Sequence, residues 1–344
     1  MDPRDSMKST WRVANRDTWS IDHWLIEYLN VYPTDLNKPI PVHPKDKKIP
    51  FMPQWSLHRW VLFYAAIPLA IHQLYSTWTG RALGSFATFN LYFFMFNAMV
   101  MYQVHVLRRL GHQLGFLDGD KHERDGIPDV GVRKIVQSLY KTTGSRLAMA
   151  TWLTYTPTQL PSTMNWAWLP LEIGLYGLVL DFWFYWYHRL MHDVSFLWKY
   201  HRTHHLTKHP NPLLAAYADH EQEFFDMVGI PAMTYMTLKL MGLPMGFYEW
   251  WVCHSYVAFA EVFGHSGLRI HMTVPTTFSW LLQILDSEIV IEDHDLHHRK
   301  GWRKSHNYGK QTRFWDRIFG TCTQRIESKK ENIDWDDQVH MPLF

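Results

Sequence analysis

Hydrophobic and polar positions divide the chain into four long apolar runs, a fifth interrupted run and polar connecting stretches. Residues 1–57 are polar and punctuated by proline, with Lys45, Lys47 and Lys48 just ahead of the first run. No basic, apolar and small-residue leader pattern is present, so a retained cytosolic N-terminal segment is expected. Residues 58–78 and 83–104 each approach the ~20 residues needed to cross ~30 Å of hydrocarbon, and a short turn at Gly80 joins them. A second pair, 147–160 and 166–187, is separated by the uncharged PSTMN, and its first member contains Pro157. Between the pairs, 105–146 carries Arg108, Arg109, Lys121, Arg124, Arg133, Lys134, Lys141 and Arg146. Lys and Arg concentrate on the cytoplasmic side of membrane proteins, which sets this loop and the N-terminal lysines on one side of two hairpins. The run 227–263 holds Lys239 and a Gly242-Leu243-Pro244 break; a lysine at mid-bilayer is expensive, so two interfacial helices are expected there. The expected fold is all-α and integral to a membrane. About four transmembrane helices in two hairpins occupy 58–187, a cytosolic helical cap follows over 188–325, and a polar tail over 326–344 completes one functional domain.

Composition narrows the chemistry. The 344 residues include 22 histidines and only two cysteines, Cys253 and Cys322, so no Cys-rich zinc or iron–sulfur site is available and a metal must be held by nitrogen or oxygen. A formal charge of +2, from 34 basic and 32 acidic residues, gives no polyanion signature, and no nucleic-acid partner is expected. An apolar share of 47% beside a charged share of 19% is too oily for a disordered chain. The slightly negative mean hydropathy argues for a membrane protein with a large polar part.

The histidines are not scattered. His188 and His192 are four apart and share a helical face; His201, His204 and His205 follow as HxxHH, and His294, His297 and His298 repeat that spacing far downstream. At this histidine content roughly 0.1 HxxHH match is expected by chance in a chain of 344 residues, and two occur. The isolated His23, His43, His58, His72, His105, His112, His122 and His340 are read as surface or packing residues. Eight clustered imidazoles exceed what one ion takes, which argues for two ions. Imidazole sets suit iron, zinc, copper or nickel, and spacing alone does not choose among them. The clusters follow the apolar runs, within reach of a lipid.

The order DxxxYxxHRxxH, LWKYHRTHH and HDLHHRKGWRKSHNYG…WDRIFGT resembles the fatty acid hydroxylase and sterol desaturase superfamily of integral-membrane di-iron oxidases, which includes C-4 methylsterol oxidases and sterol C-5 desaturases. The matching residues are Asp181, Tyr185, His188, Arg189, His192, Trp198, His201, His204, His205, His294, Asp295, His297, His298, Asn307, Tyr308, Gly309, Trp315, Asp316, Arg317 and Gly320. They fall within 181–321, roughly 40% of the chain. The superfamily also has a histidine in an HSG context, which makes His265 a ninth ligand by resemblance. Where many relatives carry HPxE, this chain has His220-Glu221-Gln222-Glu223, so His220 is left outside the set, as is His209.

The resemblance implies two iron ions, with zinc as a substitute, and O2 as co-substrate, oxidising an unactivated C–H bond of a sterol, terpenoid-like or other lipid. It also implies a location in the endoplasmic reticulum with the clusters on the cytosolic side. Desaturation within the same superfamily is the alternative outcome, and a histidine-rich metal-binding or transport protein is the alternative class. No catalytic side chain beyond the ligands is singled out. Asp181 and Asp295 are expected to accept hydrogen bonds from ligand imidazoles, and Asn307, with Asp316, to anchor the loop after the last cluster. The chain has no haem, iron–sulfur or dinucleotide motif of its own, so electrons must come from a partner such as cytochrome b5 with its NAD(P)H reductase. The basic run at Arg299, Lys300, Arg303, Lys304, Lys310, Arg313 and Arg317, its first four residues above all, offers a dock for it, membrane-side charge bias being the other reading.

Overall fold

The computed structural model describes residues 5–118 and 124–344; Lys121 and His122 lie outside the described residues. Helix α1 (Ile21–Leu29) precedes four long helices: α2 (Gln54–Thr79), α3 (Ser85–Leu114), α4 (Val132–Thr154) and α5 (Leu169–Asp193). Short helices α6 (Ser195–His201) and α7 (His220–Phe224) follow, and a π-turn at Phe225–Gly229 leads into α8 (Ile230–Leu240) and then α9 (Phe247–Gly264). Helices α10 (Ser279–Ile284), α11 (Ile291–Lys300) and α12 (Phe314–Ile318) lie near the C-terminus. A parallel pair of strands, β1 (Ile49–Phe51) and β2 (Ile333–Gln338), sets Ile49 opposite Ile333.

Local chemistry sets the long helix boundaries. Gly80 closes α2 in the left-handed region at φ 65°, which costs glycine least, and Pro170 sits in the first turn of α5, where its missing N–H is not needed. Helix α9 is the axis of the core. Trp250, Trp251, Phe259 and Phe263 are fully buried between α2, α3, α5 and α11, with Tyr92 and Phe247 packed edge to face at 4.9 Å.

The expectation of transmembrane hairpins is overturned: among the described residues no helix is long and apolar enough to cross a membrane. Length is not the shortfall, because α2 and α3 run to 26 and 30 residues. Polarity is. His58, Arg59, His72 and Gln73 interrupt α2, and Asn90, Asn97, Gln103, His105, Arg108 and Arg109 interrupt α3. The run expected to begin at 147 belongs to a helix that begins at Val132 and already carries Arg133, Lys134, Lys141 and Arg146, while Pro157 lies beyond its end. The region 227–263 forms two helices, α8 and α9, parted at the Gly242-Leu243-Pro244 break, and α9 is buried almost throughout. Lys239 reaches the carbonyl of Pro244 at 2.7 Å and ties down the turn after α8.

The polar ends pack against the body. Trp11 is buried and donates to the Ile127 carbonyl at 3.1 Å, while Asp129 accepts from the backbone of Thr10 and Trp11. At the other end Met341 is buried, and its N–H donates to Ser56 Oγ at 2.7 Å.

Candidate metal centre

The last turns of α5 present His188 and His192, α6 ends on His201, a 3-10 turn carries His204 and His205, α9 closes on His265, and α11 carries His294, His297 and His298. All nine sequence-selected histidines come together, in two sets. His188, His192, His201, His205 and His297 form one; His204, His265, His294 and His298 form the other. Within each set the nitrogens lie within 4.8 Å of one another.

Each HxxHH motif divides between the sets. In the upstream motif His201 and His205 face the first set and His204 the second; in the downstream motif His294 and His298 face the second and His297 the first. On the continuous helix α11 residues four apart are separated by only ~40° around the axis, whereas the i+3 and i+4 positions are ~100° apart; upstream, the 3-10 turn after α6 makes the same division. One motif therefore serves both sets, rather than presenting three imidazoles to one point. The two motifs do so in reciprocal fashion.

Backbone carbonyls fix the rings. Nδ1 of His188 faces the Tyr308 carbonyl at 2.9 Å, that of His192 the Trp302 carbonyl at 2.6 Å, and that of His265 the Glu261 carbonyl at 2.8 Å. Nδ1 of His297 faces the His306 carbonyl at 2.7 Å and that of His298 the Thr207 carbonyl at 3.2 Å. A carbonyl only accepts, so these five Nδ1 atoms carry hydrogen and the five Nε2 atoms are bare lone pairs.

The bare nitrogens point at other nitrogens. His188 Nε2 lies 3.0 Å from His201 Nε2, His297 Nε2 3.0 Å from His205 Nε2, and His265 Nε2 3.0 Å from His294 Nε2. His192 Nε2 and His298 Nε2 are buried with no hydrogen-bond partner. Buried acceptors without a donor, as at His192 and His298, are costly, and a cation between the facing nitrogens would satisfy them all. Ligands ~2.0–2.1 Å from an ion are themselves separated by about the distances found here, so the donor set fits a metal in each group. Burial lowers all nine imidazoles below their ordinary value, His201 to about 4 and His265 to about 3, keeping them in the neutral form that binds metal.

The carboxylates hold the scaffold and do not orient the rings, contrary to expectation. Asp181 accepts from the backbone N–H groups of Lys310 at 3.0 Å, Gln311 at 2.9 Å and Thr312 at 2.6 Å. It thereby fixes the loop whose Tyr308 carbonyl holds His188. Asp295 is buried against Arg124 and Arg299. On α11 each acidic residue beside the histidines is an anchor. Glu292 accepts from the backbone N–H groups of Ile326, Glu327 and Ser328, and Asp293 pairs with Arg325 at 2.7 Å. Asn307 and Asp316 anchor the following loop: Asn307 donates to the Asp293 carbonyl at 2.9 Å, and Asp316 accepts from Tyr308 and Gly309, each at 2.8 Å. His209 and His220 stand outside both sets.

Arg299 does not belong to an exposed basic dock: it is mostly buried, 3.1 Å from Asp118 and 2.7 Å from Asp295. Lys300, Arg303 and Lys304 are exposed, around Trp302. Ring centroids step 5.0 Å from Trp302 to Trp198 and 5.2 Å from Trp198 to His192.

Two cavities meet beside the second set. A small one is lined by His265, His294, Glu261 and Lys310. A larger one of about 90 Å³ lies between α3, α4 and α9, lined mostly by apolar side chains including Phe96, Leu139, Leu213 and Val262, and it shares Glu261 and Lys310. The ion pair between those residues, 2.6 Å long, stands where the two cavities adjoin. Sequence reasoning assigned Lys310 to a surface basic run and passed over Glu261. No local signal marks either, since their pairing depends on α9 meeting the loop before α12.

A family model for fatty acid hydroxylase matches residues 173–321, spanning both HxxHH motifs and His265. The chain is 45% identical over 316 residues to fatty acid hydroxylase vlmA of a Lecanicillium species, covering 88% of this chain and 86% of that one. It is 32% identical to methylsterol monooxygenase 2-2 of Arabidopsis thaliana, covering 49% of this chain and 60% of that one. It is 25% identical to alkylglycerol monooxygenase of Xenopus tropicalis, covering 58% and 39%. No solved structure matches. With the first relative aligned over most of both chains and the family model lying on the histidine motifs, the chain belongs to the fatty acid hydroxylase family, oxidoreductases of the lipid hydroxylase and desaturase type.

Proposed function

We propose that the two imidazole sets hold two iron ions and that the enzyme uses O2 and two external electrons to hydroxylate a C–H bond of a fatty acyl lipid. The observation that carries this reading is the convergence of bare, carbonyl-locked Nε2 atoms in two adjoining buried groups. His188, His192, His201, His205 and His297 would hold one ion, and His204, His265, His294 and His298 the other. Bound iron would supply the oxidising power that no side chain has. The protein's own residues orient the ligands, exclude water by burial, and present the substrate from the larger cavity past Glu261 and Lys310. A fatty acyl substrate is favoured over a sterol by the extended similarity to a protein named a fatty acid hydroxylase.

The lipid is taken from a lipid phase in this reading. Trp78, Phe86 and Trp152 are 91%, 82% and 88% exposed where α2 turns into α3 and α4 ends. Exposed aromatic patches of this kind suit a lipid interface. Electrons enter from an acidic one-electron carrier such as cytochrome b5, itself served by an NAD(P)H reductase, which docks on Lys300, Arg303 and Lys304. Trp302 and Trp198 then bridge the surface to His192.

The test incubates wild type and His204→Ala with iron, donor system, O2 and a lipid extract, with products followed by mass spectrometry. A hydroxylated acyl product that requires His204 is expected. Equal products from both proteins, or no oxidised lipid from the wild type, would overturn the proposal.

A further inference from the structure

The larger cavity is apolar on most of its wall but contains one cation that, among the described residues, stands outside any ion pair. Arg146, on α4, lines it and is 4% exposed. Its Nε donates to the Met227 carbonyl at 3.3 Å, and Nη2 lies 2.9 Å from Met227 Sδ. Among the described residues no carboxylate lies within ion-pair distance of this guanidinium. The other cation on the wall, Lys310, is already paired with Glu261. A guanidinium removed from water, with a carbonyl and a thioether as its hydrogen-bond partners and Asp226 near but outside ion-pair distance, is costly to bury, and an arriving anion offsets that cost.

The π-turn at Phe225–Gly229 adds a second group beside it. Such turns interrupt a regular helix and often mark functional positions, and this one carries Asp226 into the same cavity. Asp226 Oδ1 is buried without a partner, while Oδ2 reaches Gln222 at 3.5 Å. Glu223 also lines the cavity, with Oε1 unpartnered and Oε2 3.3 Å from His220. Burial pushes both carboxyls up, which weakens their repulsion of an anion.

We propose that Arg146 binds the carboxylate of the lipid substrate, with Asp226 beside it, so that the cavity selects lipids with a free acid head and sets the carbon presented to the metal centre by its distance from that head. The inference rests on the lipid-oxidising reading above and names the form of substrate it takes. A bidentate guanidinium–carboxylate pair in a water-poor cavity gives both affinity and a fixed origin for the acyl chain.

The experiment measures equilibrium binding of palmitic acid, methyl palmitate and hexadecylamine to the metal-loaded protein under nitrogen without reductant, so that no turnover is needed. The acid should bind about tenfold or more tightly than the ester. Arg146→Met should erase that preference, leave ester affinity unchanged and leave thermal stability unchanged or raised, because it removes an unpaired buried charge. Arg146→Lys keeps the charge and should retain part of the preference, which guards against misreading a poorly folded Arg146→Met. Equal binding of acid and ester to the wild type, tighter binding of the amine, or an acid preference that survives in well-folded Arg146→Met would overturn the proposal. If none of the three lipids binds the wild type, the lipid-oxidising reading fails as well, a different result from loss of acid preference alone.

Discussion

Asp181→Asn tests the support of the first imidazole set most sharply. The carboxylate accepts through Oδ1 from Lys310 and Gln311 and through Oδ2 from Gln311 and Thr312, with a further bond from Thr312 Oγ1 at 3.0 Å. Every partner is a donor. An asparagine keeps one acceptor oxygen and replaces the other with an amide NH2. Whichever way it turns, one backbone N–H, of Lys310 or of Thr312, loses its acceptor and meets another N–H. Burial raises Asp181 to about 7, but the donors that ring it hold the charged form above that pH. A bond to a charged acceptor is worth about 1.5–3 kcal/mol and the opposed donors add to the loss, so at pH 8 stability should fall by about 2–4 kcal/mol. The same loop supplies the Tyr308 carbonyl that fixes His188. Disturbing such supports typically weakens metal binding by about 10–100-fold, and here the five-histidine set should suffer while the four-histidine set holds. Denaturant unfolding gives the stability, and titration against a chelator gives the two metal affinities. Wild-type stability together with two unchanged affinities would refute the argument.

Gly309→Ala should cost about 2–4 kcal/mol in denaturant unfolding, because a Cβ there would meet the Thr312 carbonyl oxygen at 2.1 Å and Asp316 Oδ2 at 3.0 Å. Glu172 is buried and burial pushes it up to about 7, so its folded value lies above its unfolded one and the wild type gains stability as pH falls from about 7 toward 4.5. Glu172→Gln should therefore be more stable than wild type at pH 8, by at most about 3 kcal/mol, with the advantage gone near pH 5; thermal unfolding at the two values reads it. Reversing Lys300, Arg303 and Lys304 to Glu should weaken an acidic electron donor's apparent affinity at low salt, with the difference shrinking as ionic strength rises. Donor kinetics that ignore the triple change would remove docking from that surface.

The histidine centre was legible because its information is local. Spacings of three and four residues on short helices survive in the sequence, and all nine selected residues converge. Their division into five and four was not legible, because each set draws its members from separate elements, α5, α6, the 3-10 turn at His204, α9 and α11, that only the fold brings together. The ring supports were missed for a related reason: they are backbone carbonyls of Tyr308, Trp302, Glu261, His306 and Thr207, which carry no side-chain signature. Charge counting along 105–146 treated Arg124 and Arg146 as part of a solvent-side basic loop, yet both are buried, one against Asp295 and one in the cavity wall. Apolar runs were taken as spans because aromatic side chains fill them. Tyr, Trp and His in α2 and α3 pack against α9, and burial inside a helical bundle produces the same oily pattern.

The central claim is that two separate imidazole sets each hold an ion, and metal stoichiometry measures it most directly. Protein loaded anaerobically with ferrous iron and freed of excess metal should contain about two ions per chain by elemental analysis. The double change His294→Ala with His298→Ala should leave about one, with helix content by circular dichroism unchanged. A wild type that retains one ion or none, or a folded double variant that still retains two, would contradict the account.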